Sequence, residues 1–375
     1  MSREKNYTHN FFPYPAKFPP EPIREFILRF SKENDIVLDP FCGSGTVLVE
    51  ALLHKRNAVG IDLNPVSVLV SKAKSNIYSR EDLSNLLSII KQLEELLEVR
   101  DLWVYNTVSE KDLPNYKNRE LWFKENMLYE MASIRKTFLY SDRYSSKLID
   151  LLWMAFLKIV VDVSNQETDT RYASITKPEL VDGYAIRKFI DTLREYYKVL
   201  STTEFIEGIS NVSVEVIEGD VNKNLDKIKD ESMDLVITSP PYINTFDYYL
   251  YHKHRIFWLG KDPQEVRKKE IGCHHRIDTM SFERAFSEYK ENMEKLIRAL
   301  SFKLKKGKYF VMLIGDGIVK GELVKADNLV KDICSRNNFQ IEEIITTPLR
   351  DVSKGFLKGR NLDKKKHHTI IMKRW

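Results

Sequence analysis

Asp35-Ile-Val-Leu-Asp-Pro-Phe-Cys-Gly-Ser-Gly-Thr46 is the stretch on which the reading of the fold turns. Its apolar run ends at Asp39-Pro40, as a short buried strand does. The glycines that follow let the backbone turn tightly and approach a ligand, because no Cβ stands in the way. Val47 to His54 then suits a helix, and Asn57 to Ile61 a second strand closed by Asp62. Strand, glycine loop, helix, strand and acid, in that order, open a doubly wound α/β sheet.

Moving outward, the same pattern resumes late in the chain. Val212 to Ile217 ends at Gly219-Asp220, and Met233 to Thr238 runs into Ser239-Pro-Pro-Tyr242. Phe282 to Phe302 has helical periodicity, Tyr309 to Ile314 reads as a strand, and Leu323 to Asn337 as a helix. Gln340 to Thr347 and Thr369 to Lys373 read as the last two strands. Between the two parts the pattern changes to long helical runs, Glu81 to Val99, Glu120 to Leu139, Ser146 to Val163 and Gly183 to Leu200. The expectation is an α/β fold, a doubly wound Rossmann-like sheet built from 1–80 and 205–375, carrying a mainly helical insertion over 81–204.

Composition narrows the class. With 43% hydrophobic and 30% charged residues the chain can bury a sizeable core. Ile149 to Val163, its longest apolar stretch, is broken by Asp150, Lys158 and Asp162, so no membrane span is expected. Met1 to Lys5 carries no apolar signal, and Cys42, Cys273 and Cys334 form no C-x-x-C pair. A reducing, cytoplasmic location without structural zinc follows as the expectation. His252-x-His254 and Cys273-His-His275 hold ligand-type residues, but neither has the second spaced pair that zinc needs, and no metal is expected. The net charge of +5 is a mild bias, compatible with a polyanion and diagnostic of none.

Two loops carry the chemistry. The glycine loop lacks the Lys-Ser/Thr of a phosphate-cradling loop and the third glycine of a dinucleotide site, which also argues against a nicotinamide oxidoreductase. Asp39 at its mouth suits a cationic ligand, and Asp62 is placed to accept hydrogen bonds from ribose hydroxyls. A nucleoside ligand without a pyrophosphate fits best. In Ser239-Pro-Pro-Tyr242, two prolines remove two backbone donors and fix φ, giving a rigid turn at a strand's carboxyl end. Such a turn aims a carbonyl, the Ser239 hydroxyl and the flat face of Tyr242 at a planar base. Taken alone, the motif is as readily a proline-terminated strand with a core tyrosine; paired with the glycine loop on one sheet, it reads as a site.

Together, Asp39-Pro-Phe-Cys-Gly-Ser-Gly-Thr46 and Ser239-Pro-Pro-Tyr242 resemble the motifs of the DNA amino-methyltransferases, which methylate cytosine N4 or adenine N6. Asn10-Phe-Phe-Pro-Tyr-Pro-Ala-Lys-Phe-Pro-Pro20 resembles that family's amino-terminal motif. The resemblance covers about 1–80 and 205–375. It implies S-adenosylmethionine as cofactor, held by Asp39, Pro40, Phe41, Cys42, Gly43, Gly45 and Thr46 at the methionine end. Asp62 and Asn64 would serve the ribose, Asp220 the adenine amino group, and Phe12, Pro15 and Lys17 would belong to the amino-terminal motif. Ser239, Pro240, Pro241 and Tyr242 would be the catalytic tetrad, acting by direct transfer onto a flipped base. Serine in the first tetrad position, after Thr238, is the form usual in the cytosine N4 enzymes.

The implied partner is double-stranded DNA, with a cognate restriction endonuclease as a further candidate and a monomer or dimer as the assembly. Target reading falls first to the insertion, around Arg171 in the polar loop Ser164 to Lys177. The second candidate is 260–280, with Arg267, Lys268 and Arg276. The basic run with Lys354, Lys358 and Arg360 suits phosphates. The aromatics from Phe246 to Trp258 are expected in the core, or as a wall for the flipped base. An RNA methyltransferase acting on guanine would more often carry Asp or Asn in the tetrad's first position. A catalytically silent DNA-binding subunit would not need the tetrad.

Overall fold

The computed structural model describes residues 7–202, 209, 211–349 and 365–375. The chain forms two compact units: Met1–Tyr14, Lys72–Ser210 and Leu250–Pro263 in one, Pro15–Ser71, Asn211–Tyr249 and Gln264–Trp375 in the other. Its strands are β1 (Ile36–Asp39), β2 (Asn57–Asp62), β3 (Gln166–Thr168), β4 (Arg171–Ser174), β5 (Val214–Glu218), β6 (Met233–Thr238), β7 (Leu304–Gly315), β8 (Gly317–Val319), β9 (Glu322–Val324), β10 (Phe339–Pro348) and β11 (Lys366–Arg374).

The second unit is built on one seven-stranded sheet in the order β10-β11-β7-β6-β1-β2-β5. The pairs β1–β2, β2–β5, β1–β6 and β6–β7 are parallel, whereas β11 runs antiparallel to both β7 and β10. The chain winds outward from β1 through β2 to β5 and returns on the other side of β1 with β6. The carboxyl ends of β1 and β6 therefore flank the switch point, where α/β sheets bind ligands. This is the doubly wound Rossmann-like fold.

Side chains alternate across the strands, and both faces of the sheet are apolar, as its burial on both sides demands. Val37, Leu235, Val311, Leu313 and Ile371 point to one face, under the helices Pro20–Phe30 and Thr46–Leu53. Leu38, Val236, Phe310, Met312 and Ile370 point to the other, under Phe282–Lys303 and Ala326–Cys334.

The first unit is mainly helical. Arg80–Glu98 starts at a capping box in which Ser79 and Asp82 bond reciprocally, and it packs on Tyr184–Leu200. Glu130, fully buried, accepts from Arg100 Nε at 2.7 Å and from the Gly183 and Ala185 amides at 2.5 and 3.0 Å. A buried carboxylate at that helix start is offset by one cation and by the orphan amides of the first turn. Tyr196 anchors the amino-terminal residues, stacking on Phe11 at 4.2 Å and donating to its carbonyl at 2.7 Å.

Several elements depart from the pattern in the sequence. Strand β11 begins at Lys366, not Thr369, because His367 and His368 extend the ladder opposite Gly315 and Ile314. Leu323 belongs to the β8–β9 hairpin, and the helix beyond starts only at Ala326, whose amide is capped by Asp316. The loop 164–177 contains the β3–β4 hairpin. The run 120–139 is broken into Arg119–Trp122, Glu125–Ile134 and a wider turn over Arg135–Leu139.

Candidate active site

Three acids stand at the carboxyl ends of three adjacent parallel strands: Asp39 closes β1, Asp62 closes β2 and Asp220 lies just beyond β5. Asp39 is buried. Its Oδ1 accepts from Phe41 N at 3.1 Å and from Thr238 Oγ1 at 2.7 Å. Burial pushes its carboxyl up to about 7 against the pull of those two donors, and the nearby Asp62 adds to the rise. Asp62 holds the glycine loop: its Oδ2 accepts from Gly43 N at 2.9 Å and its Oδ1 from Asn64 N at 2.8 Å. Burial raises it too, to about 6. Asn64 in turn caps the helix Pro65–Ser75 through Val66 N, and its Nδ2 has no partner among the described residues. Asp220 caps Val221–Leu225 through Asn222 N.

Within the loop, Gly43 and Gly45 take φ of +48° and +77°. A Cβ on Gly45 would lie 3.0 Å from Ser71 Cα, so the helix could not come this close behind any other residue. Ser71 Oγ closes the turn on the Gly43 carbonyl at 2.8 Å. Pro40 and Thr46 are buried, and Phe41 is half-buried. Cys42 is a buried packing residue of the core, its thiol pushed far up by burial.

Ser239-Pro-Pro-Tyr242 leaves β6 next to this loop, since β6 pairs directly with β1. Ser239, Pro240 and Tyr242 line a cleft with Lys17, Phe18 and Phe246 among its other walls. The Ser239 side chain hydrogen-bonds Tyr242, whose hydroxyl burial holds well above the ordinary tyrosine range. Pro241 presents its carbonyl elsewhere, to Tyr289 Oη at 2.9 Å. Lys17 is half-buried, and its ammonium is pushed down by that burial. Tyr242 lies against Gly315, where a Cβ would come within 2.5 Å of its ring.

The loop beyond Tyr242 is clamped by 270–275. Asn244 N donates to the Gly272 carbonyl at 3.0 Å. Glu270 accepts from the amides of Tyr248 and Tyr249 at 2.8 and 3.4 Å, and burial lifts its carboxyl to about 8. Asp247 accepts from Cys273 Sγ at 2.9 Å and pairs with His275 Nδ1 at 2.6 Å, bonds that hold its carboxyl below the usual range against the pull of burial. This fixes Phe246 and Tyr248 in the cleft wall, while Tyr249 is buried.

The other expected residues are spread more widely. Pro15 is buried in the sheet unit, whereas Phe12 belongs to the helical unit, buried under the Arg255 guanidinium at 5.0 Å. Arg171 is exposed on the β3–β4 hairpin and pairs with Glu167 at 2.8 Å. Arg267 lies over Tyr249 at 5.7 Å, Lys268 pairs with Glu265 at 2.6 Å, and Arg276 is tied to Glu288 and the Lys268 carbonyl. Lys354, Lys358 and Arg360 lie outside the described residues. Phe18 falls within the amino-terminal motif but was not singled out, while Leu349, Gly315, Tyr289 and His367 carried no motif to mark them; only the fold assembles them here.

One trio of metal-ligand types meets among the described residues, Asp316, Asp327 and His368. Asp316 already accepts from the Ala326 and Lys366 amides and pairs with His368 Nε2 at 3.2 Å, and Asp327 pairs with Lys331. The trio serves as a clamp between β7, β11 and the helix Ala326–Cys334.

A family model described as DNA methylase, for N6 and N4 methyltransferases, matches residues 1–73. The Type II methyltransferase M.MvaI of Kocuria varians is 29% identical over 250 residues, covering 64% of this chain and 54% of that protein. M.BsoBI of Geobacillus stearothermophilus is 27% identical, with 71% and 56% covered. M.MjaII of Methanocaldococcus jannaschii is 24% identical, with 91% and 59% covered. The chain thus matches just over half the length of each of these relatives. Among the described residues no helix is long and apolar enough to cross a membrane. In its amino-terminal match and in these relatives, the chain is similar to the DNA amino-methyltransferases.

Proposed function

We propose that the chain transfers a methyl group from S-adenosylmethionine to the exocyclic amino group of a base flipped out of duplex DNA, with cytosine N4 the favoured target. The observation that carries this reading is the juxtaposition of the glycine loop and Ser239-Pro-Pro-Tyr242 at neighbouring strand ends, tied by the Thr238–Asp39 hydrogen bond. The relatives named as Type II methyltransferases support it.

The donor set fits the cofactor. Carboxylates rather than Lys or Arg front the loop, which suits a sulfonium and an ammonium and disfavours a pyrophosphate. Asp39, Gly43 and Gly45 would hold the methionine end, with Lys17 reaching its carboxylate. Asp62, at the end of β2, would take the ribose hydroxyls, and Asn64 Nδ2, without a partner among the described residues, is a donor beside it. Asp220 would take the adenine amino group. When bound, S-adenosylmethionine supplies an electrophilic methyl carbon.

The chain's own residues then position the nucleophile. Ser239 Oγ and the Pro240 carbonyl accept the two amino hydrogens, aiming the nitrogen at the methyl. Tyr242 stacks on the base, and Phe246 and Tyr248 shield it from water. Rigidity comes from the prolines, from Tyr289 on the Pro241 carbonyl and from the clamp at 270–275. No enzyme nucleophile is required, and positioning and water exclusion supply the rate. Arg171 and Lys268, both exposed, would meet DNA first, and the helical unit carrying Arg171 is the candidate reader of the target sequence.

The test uses S-adenosylmethionine with an isotopically labelled methyl and unmethylated duplex DNA of mixed sequence, digested to nucleosides and resolved by mass spectrometry. Label in N4-methylcytosine is the expected result. Label in N6-methyladenine would reverse the base preference, and label only in added tRNA would reject the DNA reading.

A further inference from the structure

His367 is buried at 4% exposure and lines the cleft together with Ser239 and Tyr242. Its Nε2 has no hydrogen-bond partner among the described residues. Buried imidazole nitrogens are ordinarily satisfied, and the next residue shows the usual arrangement. His368 meets Thr346 Oγ1 at 3.0 Å through Nδ1 and Asp316 at 3.2 Å through Nε2. Alternation along β11 turns the two histidines to opposite faces, His368 into that clamp and His367 toward the cleft.

The register explains how His367 comes to stand beside Tyr242. It pairs with Gly315 across the β7–β11 ladder, and Gly315 is where a side chain would strike the Tyr242 ring. The missing Cβ admits Tyr242, with the imidazole 6.3 Å from its ring centroid and 5.4 Å from that of Phe18. Burial and the neighbouring His368 push the His367 pKa down to about 4, so the ring is neutral near pH 7 and one nitrogen carries a hydrogen. His252 and His254 also have unpartnered Nε2 atoms, but neither lines this cleft.

Resting on the function proposed above, we infer that His367 reads the target base, its Nε2–H donating to the ring nitrogen next to the exocyclic amino group. Cytosine and adenine both offer an unprotonated nitrogen there, N3 and N1. Guanine N1 and thymine N3 carry hydrogens and would meet the donor head on. His367 thus admits amino-bearing bases with an adjacent acceptor and rejects keto bases, while Ser239 and Pro240 take the amino group itself. It is a specificity residue that touches the substrate.

The test compares His367→Leu, which keeps bulk without a donor, with His367→Gln, which restores a donor near Nε2. The substrate is a duplex carrying the methylated site found above, with the normal base or its deaza analogue, 3-deazacytosine or 1-deazaadenine, at the target. The Leu variant should lose roughly tenfold or more in kcat/KM on the normal duplex, with S-adenosylmethionine affinity unchanged, and Gln should recover most of it. The wild type should lose a similar factor on the deaza duplex, where Leu costs nothing further. Equal rates for Leu and wild type, or independent losses from variant and analogue, would overturn the assignment. If the Leu variant does not fold, undiminished wild-type transfer to the deaza duplex overturns it as well. Absence of any wild-type transfer to DNA is a separate result, which rejects the parent function and this reading with it.

Discussion

Thr238 Oγ1 donates to Asp39 Oδ1 across 2.7 Å, joining the last residue of β6 to the last residue of β1. The same oxygen accepts Phe41 N, so one buried carboxylate holds the start of the glycine loop and the strand that presents Ser239. Two loops remote in sequence are thereby set in mutual register. Burial alone would push Asp39 higher than about 7, and the two donors restrain it.

Replacing Thr238 by Val removes one donor and leaves Asp39 under-satisfied in the interior. A stability loss of about 1–3 kcal/mol is expected, and Thr238→Ser should restore most of it. The Asp39 carboxyl should rise further, leaving a larger protonated fraction near pH 7 and weaker S-adenosylmethionine binding. Titration calorimetry at pH 6.5 and 8.5 would show this, with the deficit shrinking at the higher pH. A deficit independent of pH would mean that the hydroxyl acts by shape alone.

Gly315→Ala puts a methyl group 2.5 Å from a Tyr242 ring carbon, inside van der Waals contact, and the ring must move. Overpacking of this kind costs about 1–3 kcal/mol. Methyl transfer should fall roughly 10- to 100-fold, as expected for a misplaced catalytic group, while cofactor affinity is retained. Unchanged single-turnover rates would show that the ring's position against Gly315 is immaterial.

The glycine loop and the Ser-Pro-Pro-Tyr turn were legible because each has a local signature: a short apolar strand, then residues whose backbone freedom or stiffness is itself the signal. From these the strands on either side of the switch point followed. His367 was not legible, because a histidine beside a basic run looks like loop until Gly315 is known to be its ladder partner. Tyr289 sits in an amphipathic helix and reads as core; its hydroxyl bond to Pro241 depends on how that helix lies on the sheet. Likewise, the burial of Asp247 and Glu270 arises from the folding back of 270–275, a relationship without periodicity.

Glu270 offers a pH signature. Its folded-state pKa of about 8 lies above the ordinary 4.5, so the fold retains a proton that the unfolded chain releases. Its contribution to stability falls as pH climbs from about 4.5 to about 8 and is level beyond. Glu270→Gln cannot ionise and escapes this loss. The difference in melting temperature between variant and wild type should therefore move in the variant's favour from pH 5 to pH 8. A constant difference would mean that Glu270 is ionised throughout.

The division of labour between the two loops gives the last prediction. Ser239 and Tyr242 meet the cleft but hold no part of the glycine loop, whereas Asp62 holds Gly43 and caps Asn64 from the far side of β1. Ser239→Ala should remove an acceptor that matters most as the amino group begins to lose its hydrogens. It should therefore depress kcat by roughly two orders of magnitude or more with little change in cofactor affinity. Tyr242→Ala should behave similarly, with an added rise in KM for DNA, because a stacking face worth about 1–3 kcal/mol is lost. Asp62→Ala should do the reverse: the freed Gly43 amide and the lost ribose acceptor weaken S-adenosylmethionine first, and saturating cofactor should recover much of kcat. Calorimetric affinities beside single-turnover rates for the three variants separate these outcomes. If Ser239→Ala lost cofactor binding, or Asp62→Ala kept it, the roles given to the ends of β2 and β6 would have to be exchanged.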